Sequence, residues 1–318
     1  MKRIFLAAFP VAFLMGAAMA APPAPVTDWV PDETVVVAAK AEGPAYWHIK
    51  KGDAEIFILG TVGAMPKDLA WNTAHTSAII KGARVVLTPP VASSNFFSAA
   101  WFLLWNRSLL SMPDGKTLQD VLPADLKGRF EAVVAALHGP KPEAFSDDPP
   151  LVAALKLENG FRDSAKLSTD EPLETVKKIA RANRVKVEQI ADYGVLDIAK
   201  ELLRQPIDKQ QVCLDEAVSD VELRMVHARP AAAAWADGDV KAIKAHYTPQ
   251  VFTKCAKVAS SFNKLYDQAV ADYMKAIEAA LAQPGKVVLI TDVGSLLRNT
   301  GIAEKLHAEG VTIEGPAE

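Results

Sequence analysis

One pattern is written twice in this 318-residue chain, and it narrows the possible folds more than any other feature. Residues 56–87, and again residues 287–313, read as an apolar strand, a glycine-containing loop, a helix and a second strand. In the first copy, residues 46–51 and 55–59 are apolar runs joined by the hairpin-like turn Lys51-Gly52-Asp53, and the second run ends at Gly60. Helical period follows over 71–81, and residues 83–87 read as a buried strand that stops at Pro89-Pro90. In the second copy, a long helix over 260–281 passes through Gln283-Pro284-Gly285 into the apolar strand 286–291. A helix over 296–308 and a strand over 311–313 complete it. Strand, crossover helix and parallel strand define an α/β fold with a mixed, mainly parallel sheet. Ligands of such folds sit at the strand-to-helix loops, here 60–65 and 292–298.

The middle of the chain reads as mostly helical. Thr117 is an N-cap candidate before the face Leu118, Val121 and Leu122, and a further helix starts at Pro123 and ends near Gly139. Helix-compatible composition recurs over 174–182, 196–203, 212–227 and 231–235, with a strand over 185–190 between them and a break at Asp237-Gly238-Asp239. The segment 95–112 is the most aromatic of the chain, with Phe96, Phe97, Trp101, Phe102 and Trp105 around Leu103 and Leu104. A buried core helix is its leading reading; a lid or hydrophobic ligand wall and a membrane-surface contact are the alternatives. Arg107 is the only cation nearby in sequence, which weighs against the membrane.

Lys2 and Arg3, the apolar run 4–15 and the small residues around Met19, Ala18 and Ala20, have the form of a signal peptide cleaved after Ala20. The apolar run falls short of the ~20 residues of a spanning helix, and Pro10 interrupts it. The expectation is an N-terminal tether over 21–43, a single domain over 44–318, no transmembrane span after cleavage, and a periplasmic or secreted location. Cys213 and Cys255 would then meet an oxidising compartment and form a structural disulfide, with two free thiols as the alternative. In the chain-entropy picture such a crosslink stabilises by about 4 kcal/mol. With 35 Lys+Arg against 38 Asp+Glu, the chain has no basic footprint for nucleic acid.

Trp47 with the hairpin, then Phe57-Ile58-Leu59-Gly60-Thr61-Val62-Gly63-Ala64-Met65-Pro66 and Trp71, resemble the opening of the TraB/GumN family, which includes the Tiki proteins. That opening normally runs Gly-Thr-x-His followed shortly by Pro. Gly115-Lys116-Thr117-Leu118, Trp235-Ala236-Asp237-Gly238-Asp239 and the ending at Gly310-Val311-Thr312-Ile313 extend the likeness over most of the chain. The resemblance implies an exported fold of the erythromycin-esterase/ChaN-like kind, two similar halves around one crevice. In active relatives that crevice is thought to hold a divalent metal such as Mn, Co or Zn for hydrolysis, including peptide cleavage. The ligand candidates would be a His in each Gly-x-x-His-like loop and a Glu after the strand that follows the first helix, with an Arg on the long late helix.

This chain departs at each position. Gly63 stands for the first His, Thr88 for the acid, Ser295 for the second His and Ala269 for the Arg. Gly offers no side-chain ligand and hydroxyls are poor ones for a transition metal, so no metal ligand and no cofactor is expected. The crevice candidates are Gly60, Thr61, Gly63, Thr88, Asp292, Gly294, Ser295 and His75, with Asp292 the best carboxylate and Glu188 a weaker one. Among His48, His75, His138, His227, His246 and His307, no two share the i, i+4 spacing of a helical ligand pair. Ser295 follows Gly294 but has Leu297 where a nucleophile elbow needs its second Gly, so helix capping or anion holding fits better. The leading expectation is a catalytically degenerate, exported binding or scaffolding protein with an unknown ligand or envelope partner. The alternatives are a hydrolase or peptidase rearranged around Asp292, His75, Thr61 and Ser295, and an envelope interaction protein working through residues 96–105.

Overall fold

The computed structural model describes residues 26–31, 34–38, 42–93, 96–113, 115–139, 141–168, 170–249 and 253–316. The expected signal peptide and the start of the tether lie outside the described residues. The strands are β1 (Val36–Ala38), β2 (Tyr46–Lys51), β3 (Ala54–Thr61), β4 (Met65–Pro66), β5 (Val85–Thr88), β6 (Val91–Ser93), β7 (Leu167–Ser168), β8 (Lys186–Gln189), β9 (Asp192–Gly194), β10 (Gly285–Asp292) and β11 (Ile313–Pro316). The helices are α1 (Thr73–Ile80), α2 (Phe96–Trp105), α3 (Leu118–Val121), α4 (Ala124–Ala136), α5 (Pro150–Ser164), α6 (Leu173–Ala182), α7 (Leu196–Leu203), α8 (Ile207–Ala236), α9 (Val240–His246), α10 (Thr253–Ala256), α11 (Ser260–Leu281), α12 (Val293–Leu297) and α13 (Ile302–Ala308).

Seven strands form the main sheet in the order β1-β11-β2-β3-β10-β5-β8. Every pairing is parallel except those of β2, which runs antiparallel to β3 and β11. The protein is therefore α/β with a mixed, mainly parallel sheet, as expected. The two copies of the strand-loop-helix-strand pattern interlock, because β10 of the second copy lies between β3 and β5 of the first. Its run Val287-Val288-Leu289-Ile290 is buried throughout, the mark of a central strand covered on both faces. Helix α1 packs against β10, α6 against β5 and β8, and α11 across β3, around one large core. A second core, with Leu118, Phe130, Leu157, Phe161 and Val221, binds α3, α4, α5 and α8 together. The third, smaller core joins Phe102 of α2 to Leu151, Leu203 and the disulfide Cys213–Cys255, which fastens α8 to α10.

Four expectations need correction. The helices 212–227 and 231–235 are one helix, α8, which runs through Pro230; burial of Ala231, Ala232, Ala234 and Trp235 outweighs the lost hydrogen bond. The final helix is two, α12 and α13, because Arg298 and Asn299 leave helical geometry to bond the N-terminal segment. That segment, expected to be a tether, is docked where it is described: Val30 is buried, its N–H donates to Leu297 O at 2.8 Å, and β1 extends the sheet beside β11. Finally, the aromatic helix α2 is not a core helix. Phe102 is buried, but Phe97, Trp101, Leu104 and Trp105 are 81%, 64%, 52% and 69% exposed. Apolar composition alone does not distinguish the two cases, because the deciding contacts come from distant α7.

Candidate functional site

Parallel register carries the expected loops to one edge of the sheet. Gly60 lies beside Thr291, and Thr61 beside Asp292, at the C-terminal ends of β3 and β10. A Cβ on Gly60 would stand 2.7 Å from Val293 Cγ2 and 2.8 Å from a Trp47 ring carbon, so only Gly permits this approach. The Gly60 carbonyl accepts from Trp235 Nε1 at 2.6 Å, and the Trp235 ring meets Trp71 edge-on at 5.2 Å. The Trp235-Ala236-Asp237-Gly238-Asp239 segment thus closes over the first loop. Asp239 caps α9 from there, accepting from the Ala242 N–H at 2.9 Å.

Asp292 ends β10 and caps α12. Its Oδ1 accepts from the N–H groups of Gly294 at 2.8 Å and Ser295 at 3.3 Å, and from the Tyr247 hydroxyl at 2.6 Å. Part of the residue's surface is open, yet Oδ2 is sealed and has no hydrogen-bond partner among the described residues. Burial holds this carboxyl above the usual carboxylate range, against the pull of Tyr247 and the two amides. Burial, then the Asp292 charge, raises the Tyr247 hydroxyl as well, so it stays a donor. Trp29 covers Tyr247 edge-on at 5.3 Å. Asp28 beside it grips the Arg298 guanidinium with two hydrogen bonds of 2.9 and 2.7 Å, which keeps the Asp28 carboxyl below its ordinary range. The segment from Val26 to Pro31 is a strap over α12.

The remaining candidates are engaged separately. Thr61 Oγ1 donates to Thr291 O, and Thr88 Oγ1 to Glu188 O, each at 3.2 Å. His75 packs edge-on against Tyr46 at 5.6 Å. Ser295 contributes its amide to Asp292, and Glu188 pairs with Lys186 along the outermost strand. Gly63 has φ of +85°, a backbone conformation in which a His would be strained. The donor set does not suit the divalent metal of the family resemblance. Two hydroxyls are bound to backbone, one carboxylate oxygen already takes three donors, and the His and Glu positions carry no imidazole or carboxylate. Among the described residues no group of three or more His, Cys, Asp or Glu could hold a metal ion.

Sequence reasoning picks out Asp292 but misses its partners. Tyr247 reaches it, and Trp29 covers Tyr247, from segments with no local signal, and only the Trp235 segment stands out in the sequence. It also misses the meeting of His227 and His246, whose Nδ1 atoms lie 2.9 Å apart across α8 and α9.

A second candidate surface lies between α2 and α7. It is a groove of about 790 Å³ whose lining includes Phe97, Trp101, Phe102 and Trp105 on one side and Leu196, Lys200 and Arg204 on the other. Lys200 Nζ and the Arg204 guanidinium stand 5.8 and 5.6 Å from the Phe102 ring centre.

An α/β protein with a closed strand-to-helix edge and an open aromatic face is the class these features define. A family model for the TraB/PrgY/gumN family matches residues 45–315, and the chain belongs to that family. No curated protein and no solved structure matches the chain.

Proposed function

We propose that this protein is an exported, catalytically silent TraB/PrgY/gumN protein that acts by binding at the cell envelope instead of by metal-assisted hydrolysis. The carrying observation is the state of the sheet edge. Asp292, the best carboxylate there, is engaged in capping α12 and holding Tyr247, while Thr61 and Thr88 bond to backbone. A hydrolytic metal needs several such groups free at once, with a further position open to water. The disulfide supports an oxidising compartment, and among the described residues no helix is long and apolar enough to cross a membrane. The exposed outer face of α2 favours an envelope partner over a small solute enclosed in the fold.

Elemental mass spectrometry after incubation with Mn, Co and Zn salts and exhaustive dialysis tests the reading. Substoichiometric metal, unchanged in Asp292→Asn, is the expected result. Near-stoichiometric metal that disappears in Asp292→Asn overturns it and restores a hydrolase.

A further inference from the structure

The α2–α7 face narrows the choice of envelope partner. Trp101, Leu104 and Trp105 fall with Phe97 on one side of α2, at the i, i+4, i+7, i+8 spacing of a helix stripe. The ten residues of α2 carry no charge. A helix of that length extends about 15 Å, half the thickness of a hydrocarbon core, so it can lie in a bilayer surface but not span it. Trp is the side chain that most favours that boundary, since its ring is apolar and its N–H remains wet. The helix is held from beneath by Phe102, which sits in the core formed with Leu151, Leu203 and the disulfide. Its outer side chains can therefore leave water without unfolding anything below.

Charge separates a lipid surface from a generic apolar contact. In sequence only Arg107 lies near the aromatic run, but the fold brings Lys200 and Arg204 of α7 to its flank, nearly a hundred residues away. The acid on the same groove is Asp197, which is 90% exposed and pairs with Lys200 at 3.0 Å. Such an exposed pair is weak and opens readily. Aromatic side chains flanked by cations are the arrangement that binds an anionic membrane interface: apolar groups enter the headgroup boundary and cations meet phosphate.

We infer that the α2–α7 face docks this protein onto an anionic lipid bilayer, with Trp101, Leu104 and Trp105 inserted and Lys200, Arg204 and Arg107 at the phosphates. The inference rests on the reading of an envelope-binding protein, and it is tested independently of the metal measurement. A chain that holds metal yet binds vesicles refutes catalytic silence and leaves the docking face intact.

The test is flotation of the mature protein with phosphatidylcholine vesicles, with and without phosphatidylglycerol, read together with tryptophan fluorescence. Co-flotation with the anionic vesicles, a blue-shifted emission and loss of binding at high salt are expected. Trp101→Ala/Trp105→Ala should weaken binding by about tenfold or more and abolish the shift. Arg204→Gln should weaken binding to anionic vesicles only, and Arg204→Lys should retain it. Unchanged melting of these variants shows that the fold survives. Absence of flotation with either vesicle overturns the inference, as does flotation that all the variants retain. A lipid-independent dimer abolished by Trp101→Ala/Trp105→Ala also overturns it, by assigning the face to a second copy of the chain.

Discussion

The C-terminal edge of the sheet and the outer face of α2 depart from ordinary burial in opposite directions. At the sheet edge one carboxyl oxygen of Asp292 is sealed with no partner among the described residues, and the other is held by the Tyr247 hydroxyl. On α2, large apolar side chains face water. The first arrangement costs stability; the second leaves hydrophobic stabilisation unrealised until something covers it. The contrast shows that one fold can close its polar groups on themselves at one edge and leave large apolar side chains open on another face.

The largest expected effect tests whether the edge is structural. Trp235 is fully buried and bonds Gly60 O, so Trp235→Ala should cost about 3–5 kcal/mol in urea unfolding. Trp101→Ala on the open face should stay within about 0.5 kcal/mol. Equal losses at the two sites would erase the contrast.

Replacing Asp292 sharpens it. Asp292→Ala leaves the Tyr247 hydroxyl and the Gly294 and Ser295 amides without their acceptor and should cost about 1–3 kcal/mol. The folded protein raises the Asp292 carboxyl above its ordinary value, so it binds that proton more tightly than the unfolded chain does. Its contribution is full below the unfolded carboxylate range and is lost as pH rises toward the folded value. Urea midpoints of wild type relative to Asp292→Asn should therefore fall from acid toward neutral pH; a flat or rising difference would contradict a desolvated acid.

The smallest effect concerns the strap. The Asp28–Arg298 pair is partly solvated, with side chains 45% and 35% exposed, so Asp28→Asn should cost less than about 1 kcal/mol. Hydrogen exchange should nevertheless quicken at the Val30 and Asn299 amides, whose bonds the strap makes. Unchanged exchange at both amides would show that Trp29 packing alone holds the segment.

Local patterns account for what the sequence reveals of this fold. The two-residue hairpin turn, the apolar run of β10 and the extent of α11 follow from neighbouring residues. Asp292 stands out because a carboxylate at the end of an apolar strand is conspicuous. What escapes depends on residues far apart in the chain: Tyr247 is 45 residues from Asp292, and Trp235 is 175 from Gly60. The same limit applies to α2, whose residues look alike whether covered or bare, and whose cations belong to another helix. Pro230 fails as a stop signal because tertiary burial overrides a local preference.

The position of β10 has a consequence for how the protein comes to exist. β3 and β5 are made early, but the strand that belongs between them is made only when most of the chain has emerged from the ribosome. Until then both present unpaired edges, each a template for pairing with another nascent chain. Truncation before residue 285 would remove the strand that joins β3 to β5 and leave those edges open.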